Sequence, residues 1–261
     1  MNQSNPEEEI EKIRSFLQKT FQTQGKKNAV IAVSGGIDSA LSLTLLTKAI
    51  GKEFVFPLFL PYGDQSVEDS MLIAKWNNIP EKNWRTIDIK RMVDVFSDTL
   101  CHPGTSSDEE PYPGSSIEKI RIGNIMARTR MIVVFDTAKE LDALVCGTEN
   151  KSEHYLGYFT RFGDSASDIE PICHLYKTQV RQLASFLNLP EVFVSKAPSA
   201  GLWDNQTDEQ EMGFSYEDAD KALSILLQES SESIDPKLLK KVKKTMESQA
   251  FKLQVPYVLF P

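Results

Sequence analysis

At 261 residues, with 41% hydrophobic and 25% charged side chains, the chain has an ordinary globular make-up and is long enough to bury most of the surface that its unfolded form exposes; no apolar run approaches the roughly 20 residues of a membrane span. A formal net charge of −8 argues against broad binding to a phosphate backbone, so nucleic acid is not an expected partner. The polar, acidic start from Met1 to Glu9 lacks the basic end and apolar stretch of a secretory signal, and Cys101, Cys146 and Cys173 are too few and too scattered for a disulfide framework or a CxxC metal site, which together point to a cytoplasmic protein.

Residues 7 to 22 set Ile10, Ile13, Phe16, Leu17 and Phe21 at helical spacing, with Asn5 as the cap and Pro6 in the first turn, and predict an amphipathic opening helix. The short apolar run Asn28 to Val33 predicts a buried strand, and Ala40, Leu41, Leu43, Leu45, Leu46 and Ala49 predict a helix over 39 to 50. The alternation repeats, with a strand from Phe54 to Leu60, a helix over 67 to 77, a strand from Trp84 to Ile89 and a helix over 90 to 99. After a Pro-, Gly- and Ser-rich stretch (101 to 116) come a long helix over 117 to 140 and a strand from Ala143 to Cys146. Strands alternating with helices imply an α/β fold, a mostly parallel sheet flanked by helices on both faces. Residues 147 to 171 show no clear periodicity and predict a working loop. A helix over 176 to 187 follows, then an irregular segment, 195 to 214, that reads as a mobile lid. Helices over 216 to 229, opened by the approximate capping box Ser215-x-x-Asp218, and over 236 to 250 close a single domain of residues 1–261, in which 1–27 form a helical extension.

The loop Ser34-Gly35-Gly36-Ile37-Asp38-Ser39 joins the first strand to its helix. Two glycines there let the backbone turn sharply and gather N–H groups, and the helix N-terminus adds partial positive charge, which makes an anion cradle. Ser34 and Ser39 offer hydroxyl donors, whereas Asp38 would repel a bare phosphate and makes sense with a bridging Mg²⁺. Gly-Gly alone also fits plain helix capping; the whole string is far more specific, and it is not the GxxxxGK[ST] loop, since no lysine follows the glycines. It resembles the signature of the ATP pyrophosphatases. That resemblance implies adenylation, in which AMP is attached to a substrate oxygen and pyrophosphate leaves from the loop.

Further motifs follow in order: Gly123-Asn124-x-x-Ala127-Arg128-x-Arg130-Met131, Gly147-Thr148-x-x-x-x-Glu153, Phe159-Thr160-Arg161-Phe162-Gly163-Asp164, Asp168, Lys177 and Lys252-x-Gln254-Val255-Pro256. Over residues 28 to 256 they resemble the ammonia-dependent NAD synthetases. The resemblance implies a Rossmann-like sheet of the adenine nucleotide alpha hydrolase type. It implies ATP held by Ala32, Val33, Ser34, Gly35, Gly36, Ile37, Asp38, Ser39, Thr148, Lys177 and Ser199, and Mg²⁺ held by Asp38 and Glu153. Deamido-NAD falls to Arg128, Arg161, Asp168, Phe251 and Lys252, with Asp38, Glu153, Lys177 and Asp168 as the catalytic set and Asp168 placed to help deprotonate ammonium. It also implies a homodimer, for which the apolar 117 to 140 helix offers an interface.

Two positions depart from the family pattern: Phe251 stands where many relatives have histidine, and Phe59 where many have arginine. Arg130, two residues from Arg128 on one helix, points elsewhere and is expected to be a structural ion-pair partner. His154 and His174 are expected to be structural or rim residues. Glutamine-using relatives carry an N-terminal amidase domain, and about 27 residues before the first strand leave no room for one, so free ammonia is the expected nitrogen source. Two alternatives remain open, another ATP pyrophosphatase such as a tRNA-modifying or thiolating enzyme, and a non-catalytic nucleotide-binding module. The acidic balance and the lack of paired cysteines count against the first; Glu153 and the substrate arginines count against the second.

Overall fold

The computed structural model describes residues 5–101, 116–198, 207–254, 257 and 259. Helix α1 (Pro6–Gln24) starts where the Asn5 side chain accepts the Glu7 N–H at 3.1 Å and ends at left-handed Gly25. Strand β1 (Asn28–Ala32) leads into α2 (Ile37–Ile50), and β2 (Val55–Phe59), α3 (Glu68–Trp76), β3 (Arg85–Thr86), α4 (Lys90–Cys101), α5 (Ser116–Glu140) and β4 (Ala143–Cys146) follow. Then come α6 (Lys151–Leu156), α7 (Lys177–Phe186), α8 (Glu191–Ser195), α9 (Asp208–Met212), α10 (Tyr216–Leu226) and α11 (Pro236–Gln249).

The four strands form one parallel sheet in the order β3-β2-β1-β4, as the alternation requires. β1 lies in the middle and is fully buried along Ala29–Ile31, so it reads as an unbroken apolar run. Ile31 and Val33 pack with α1, α2 and α7 on one face, and Val30, Leu58 and Val145 pack with α4 and α5 on the other. Helix α2 is buried on nearly every side, and the hydroxyl of its buried Thr44 is satisfied by the Ala40 carbonyl at 2.8 Å.

Three expectations need correction. The third strand is two residues long rather than 84 to 89; Ile87 and Ile89 still donate to the Phe59 and Pro61 carbonyls, but Pro61 has no N–H to return the bond and the ladder ends. The 147 to 171 segment contains a helix, α6, and Asp208–Met212, within 195 to 214, folds as α9. Phe59 is fully buried, edge-on to Trp84 at 5.8 Å between ring centroids, so the departure there belongs to the core and not to a binding surface.

Candidate active site

The loop after β1 is pinned open by its own atoms. Gly35 has φ +79°, and a Cβ there would stand 3.0 Å from Asp69 Cβ, so only glycine fits. The Gly36 N–H donates to Ser34 Oγ at 3.3 Å, and the buried Ser39 hydroxyl donates to the Gly36 carbonyl at 3.0 Å. Six of the eight predicted loop residues, Ala32, Val33, Ser34, Gly36, Ile37 and Asp38, line a cavity of about 720 Å³ at the start of α2. Gly35 and Ser39 do not line it; they shape the loop. Thr148, Glu153 and Lys177 complete its wall, with Lys196 and Pro198 nearby. Ser199 lies outside the described residues.

Charge is concentrated on one side of this cavity. Lys177, first residue of α7 and 2% exposed, donates to Asp38 Oδ2 at 2.5 Å and to Glu153 Oε1 at 3.0 Å. Asn150, fully buried, donates to Asp38 Oδ1 at 2.8 Å while its own side-chain oxygen caps α6 by accepting the Glu153 N–H at 3.0 Å. Glu153 completes that capping box through the Asn150 N–H. The helix therefore exists because of the residues that build the site. Burial, opposed by Lys177 and reinforced by Asp38, pushes the Glu153 carboxyl up to about 8. Burial works against the Lys177 ammonium, but Asp38 and Glu153 outweigh it and hold the group above the ordinary lysine range.

Two carboxylates converging on one cation position suit a hard divalent ion such as Mg²⁺. A further buried acid, Asp208, lines the same cavity, and its Oδ2 accepts the Tyr216 hydroxyl at 3.0 Å. The donor set thus fits the ion. Sequence reasoning missed both Asn150 and Asp208; only the Asn150-x-x-Glu153 spacing carried a readable signal.

A second cavity, about 350 Å³, adjoins the first. Arg161, Phe162, Asp168 and Lys252 line it, together with His154, Glu149 and Phe159. The Arg161 guanidinium lies over the rings of Phe162 and Phe251, at 5.2 and 5.6 Å. Asp168 Oδ2 accepts the Val145 N–H at 2.8 Å, which fixes the carboxylate at the end of β4. Lys252 donates to the Gly157 and Phe159 carbonyls at 2.6 and 2.9 Å, and burial lowers its ammonium below the usual range. Phe159, Ala166 and Lys252 line both cavities.

Arg128 lines neither cavity; it donates to the Arg161 carbonyl at 3.2 and 3.3 Å and so supports the segment that carries Arg161. Arg130, expected to be a structural ion-pair partner, instead lines the larger cavity, held by the Leu60 carbonyl at 3.1 Å and Gln65 Oε1 at 3.2 Å. His154 Nδ1 meets Glu149 at 3.0 Å, and contacts with Cys173 and Glu149 push the ring up to about 10. His174 bonds Glu9 of α1 at 2.7 Å, away from both cavities. Glu170 accepts the Glu149 N–H at 3.1 Å and the Ser167 hydroxyl at 2.7 Å. A Cβ on Gly147 would fall 1.8 Å from that carboxylate, which accounts for the glycine.

The family model described as NAD synthase matches residues 9–256. An NH(3)-dependent NAD(+) synthetase of Thermoplasma acidophilum is 39% identical over 97% of both chains. Among solved structures, an NMN synthetase from Francisella tularensis superposes with a TM-score of 0.82 at 31% identity, over 99% of each chain. An NH3-dependent NAD synthetase from Campylobacter jejuni gives 0.79 at 29% identity, over 98% of this chain and 100% of that one.

Proposed function

Because this chain belongs to the NAD synthase family, we propose that it is an ammonia-dependent NAD synthetase, a carbon–nitrogen ligase that amidates deamido-NAD at the expense of ATP. The observation that carries this reading is the shared wall of Phe159, Ala166 and Lys252 between a phosphate cradle and a cation-lined second cavity. In the first step a nicotinate carboxylate oxygen attacks the α-phosphorus of ATP, an adenylate forms and pyrophosphate leaves. In the second, the nitrogen of neutral ammonia attacks the activated carbonyl carbon and AMP departs.

This chain's residues contribute mainly position and charge. The N-terminus of α2 and Ser34 receive the phosphates, and Lys177 offsets charge on the departing pyrophosphate. Asp38 and Glu153 would hold Mg²⁺, which would neutralise part of the triphosphate charge. Arg161 and Lys252 hold the anionic acceptor; Asp168, fixed by the Val145 N–H, takes the proton from ammonium at the nicotinate end. Exposed Ile120, Ile132 and Phe135 on α5 support a homodimer that covers this helix. Among the described residues no helix is long and apolar enough to cross a membrane, and the cytoplasm is the assigned compartment.

A second reading, amidation of the nicotinate mononucleotide, is favoured by the close superposition on an NMN synthetase and by a second cavity at the small end of ligand sites. One assay separates the two. Purified protein with ATP, Mg²⁺ and ammonium is offered each acceptor, and amide product and AMP are followed. Turnover of deamido-NAD over the mononucleotide is expected; the reverse preference replaces the first reading by the second, and AMP release with neither acceptor overturns both.

A further inference from the structure

Lys196 follows α8 on the wall of the larger cavity, and the reaction above gives it no task. Its ammonium donates to Asp69 Oδ2 at 2.7 Å, and the two side chains are 50% and 33% exposed. Asp69 lies in the first turn of α3 and packs against the glycine loop, since its Cβ is the atom that a Cβ on Gly35 would meet at 3.0 Å. The ion pair therefore stands beside the phosphate cradle, on a cavity that Ser34, Gly36 and Asp38 also line. The backbone next to Lys196 is held in place as well. Ala197 and Pro198 line the same cavity, and the Pro198 carbonyl accepts the Asp208 N–H at 3.1 Å.

The other cations on this cavity are committed to the protein. Lys177 is shared between two buried carboxylates, Arg130 holds the Leu60 carbonyl and Gln65, and Lys252 holds the Gly157 and Phe159 carbonyls. Lys196 sits in an exposed ion pair, which water screens and which shifts an equilibrium by at most about fivefold. Moving that ammonium onto a more highly charged anion costs little, whereas withdrawing Lys177 leaves two buried acids facing each other. We propose that Lys196 binds the polyphosphate end of the nucleoside triphosphate, the part that leaves as pyrophosphate, and releases Asp69 as it does so. The inference rests on the reading of the glycine loop as an ATP site.

The test is isothermal titration calorimetry of the full chain with α,β-methylene-ATP and with AMP, each in Mg²⁺. Lys196→Met is expected to weaken α,β-methylene-ATP roughly ten- to a hundredfold, the loss of a charge-assisted hydrogen bond. AMP, which lacks the leaving phosphates, should bind this variant and the parent alike. Asp69→Asn keeps the ammonium and removes its competitor, so affinity for α,β-methylene-ATP should equal the parent's or rise by up to about fivefold. The double variant Asp69→Asn/Lys196→Met should stay weak, because the phosphate contact is gone whether or not Asp69 is charged. Parent-like affinity in Lys196→Met overturns the proposal, as does equal weakening of AMP. Weakening by Asp69→Asn alone would make the pair a structural clasp, and parent affinity in the double variant would make Lys196 a mere screen for Asp69; each overturns it too. If the parent binds neither nucleotide, the ATP site itself falls, and the role of Lys196 with it.

Discussion

Replacing Lys177 by methionine tests the charge cluster most directly. The ammonium is 3% exposed and the carboxylates of Asp38 and Glu153 16% each, so Lys177→Met leaves two buried carboxylates facing each other. Removing one partner of a buried ion pair costs about 3–5 kcal/mol, and in a chain of this size 1 kcal/mol moves the melting temperature by about 2–4 °C, so a fall of about 6–20 °C is expected in EDTA. The deficit depends on pH, because Glu153 relieves it by taking a proton. A carboxyl raised in the folded state contributes stability that is fully present below its unfolded value, near 4.5, and is lost as pH rises through about 8. Lys177 lowers the Glu153 carboxyl, so without it the group rises further and the variant goes on losing stability above about pH 8 where the parent no longer does; its deficit should be larger at about pH 9 than at about pH 6, and Mg²⁺ should narrow it. Calorimetry in EDTA and in Mg²⁺ at both pH values reads all of this. A variant within about 2 °C of the parent in EDTA at the higher pH refutes the reasoning.

Other expectations follow from single contacts. Gly147→Ala forces Glu170 off the Glu149 N–H and should cost about 1–3 kcal/mol in denaturant unfolding, with no loss counting against the contact. Glu170 is pushed up to about 8 by burial, partly opposed by Ser167; its stabilising contribution is lost as pH rises from the unfolded value through about 8. Glu170→Gln, which cannot titrate, should flatten the fall of stability over that range by up to about 1.4 kcal/mol for each pH step of one; an unchanged curve contradicts the assignment. Arg161→Ala should raise KM for deamido-NAD at least about tenfold, the loss of one charge-assisted contact, and leave KM for ATP unaltered; equal effects on both would dissociate Arg161 from the second cavity. Glutamine in place of ammonium should give little NAD, and comparable rates would contradict the nitrogen source.

The β1–loop–α2 unit was legible because each of its signals is local: a short buried run, two glycines, and a helix that is apolar on most sides. The site around it was legible residue by residue and not as an arrangement. Asn150 touches Asp38 across 112 positions of sequence, a distance that no period or spacing encodes. Helix α6 hid inside an apparent loop because six residues carry less than two turns of pattern; its capping box was the one available sign. A lysine at the start of a helix reads as exposed, yet Lys177 is buried, since its partners come from α2 and α6. Arg128 and Arg161, from two separate motifs, were both read as contacts of one substrate, and only the geometry divided them into a support and a cavity wall.

The arrangement of helix starts explains why these charges sit where they do. Asp38 lies in the first turn of α2, Glu153 in that of α6, Lys177 opens α7 and Asp208 opens α9. Carboxylates in a first turn are favoured by the helix dipole, and a cation there is disfavoured. Lys177 is therefore held by Asp38 and Glu153 against the field of its own ten-residue helix. The same ammonium also lies 5.0 Å from the centre of the Tyr216 ring, and under the proposed function a triphosphate at the start of α2 would compete with the two acids for it. Under the proposed function, the N-terminus that receives the nucleotide would also draw Lys177 towards the leaving pyrophosphate, and the two acids it would give up are those suited to a divalent ion.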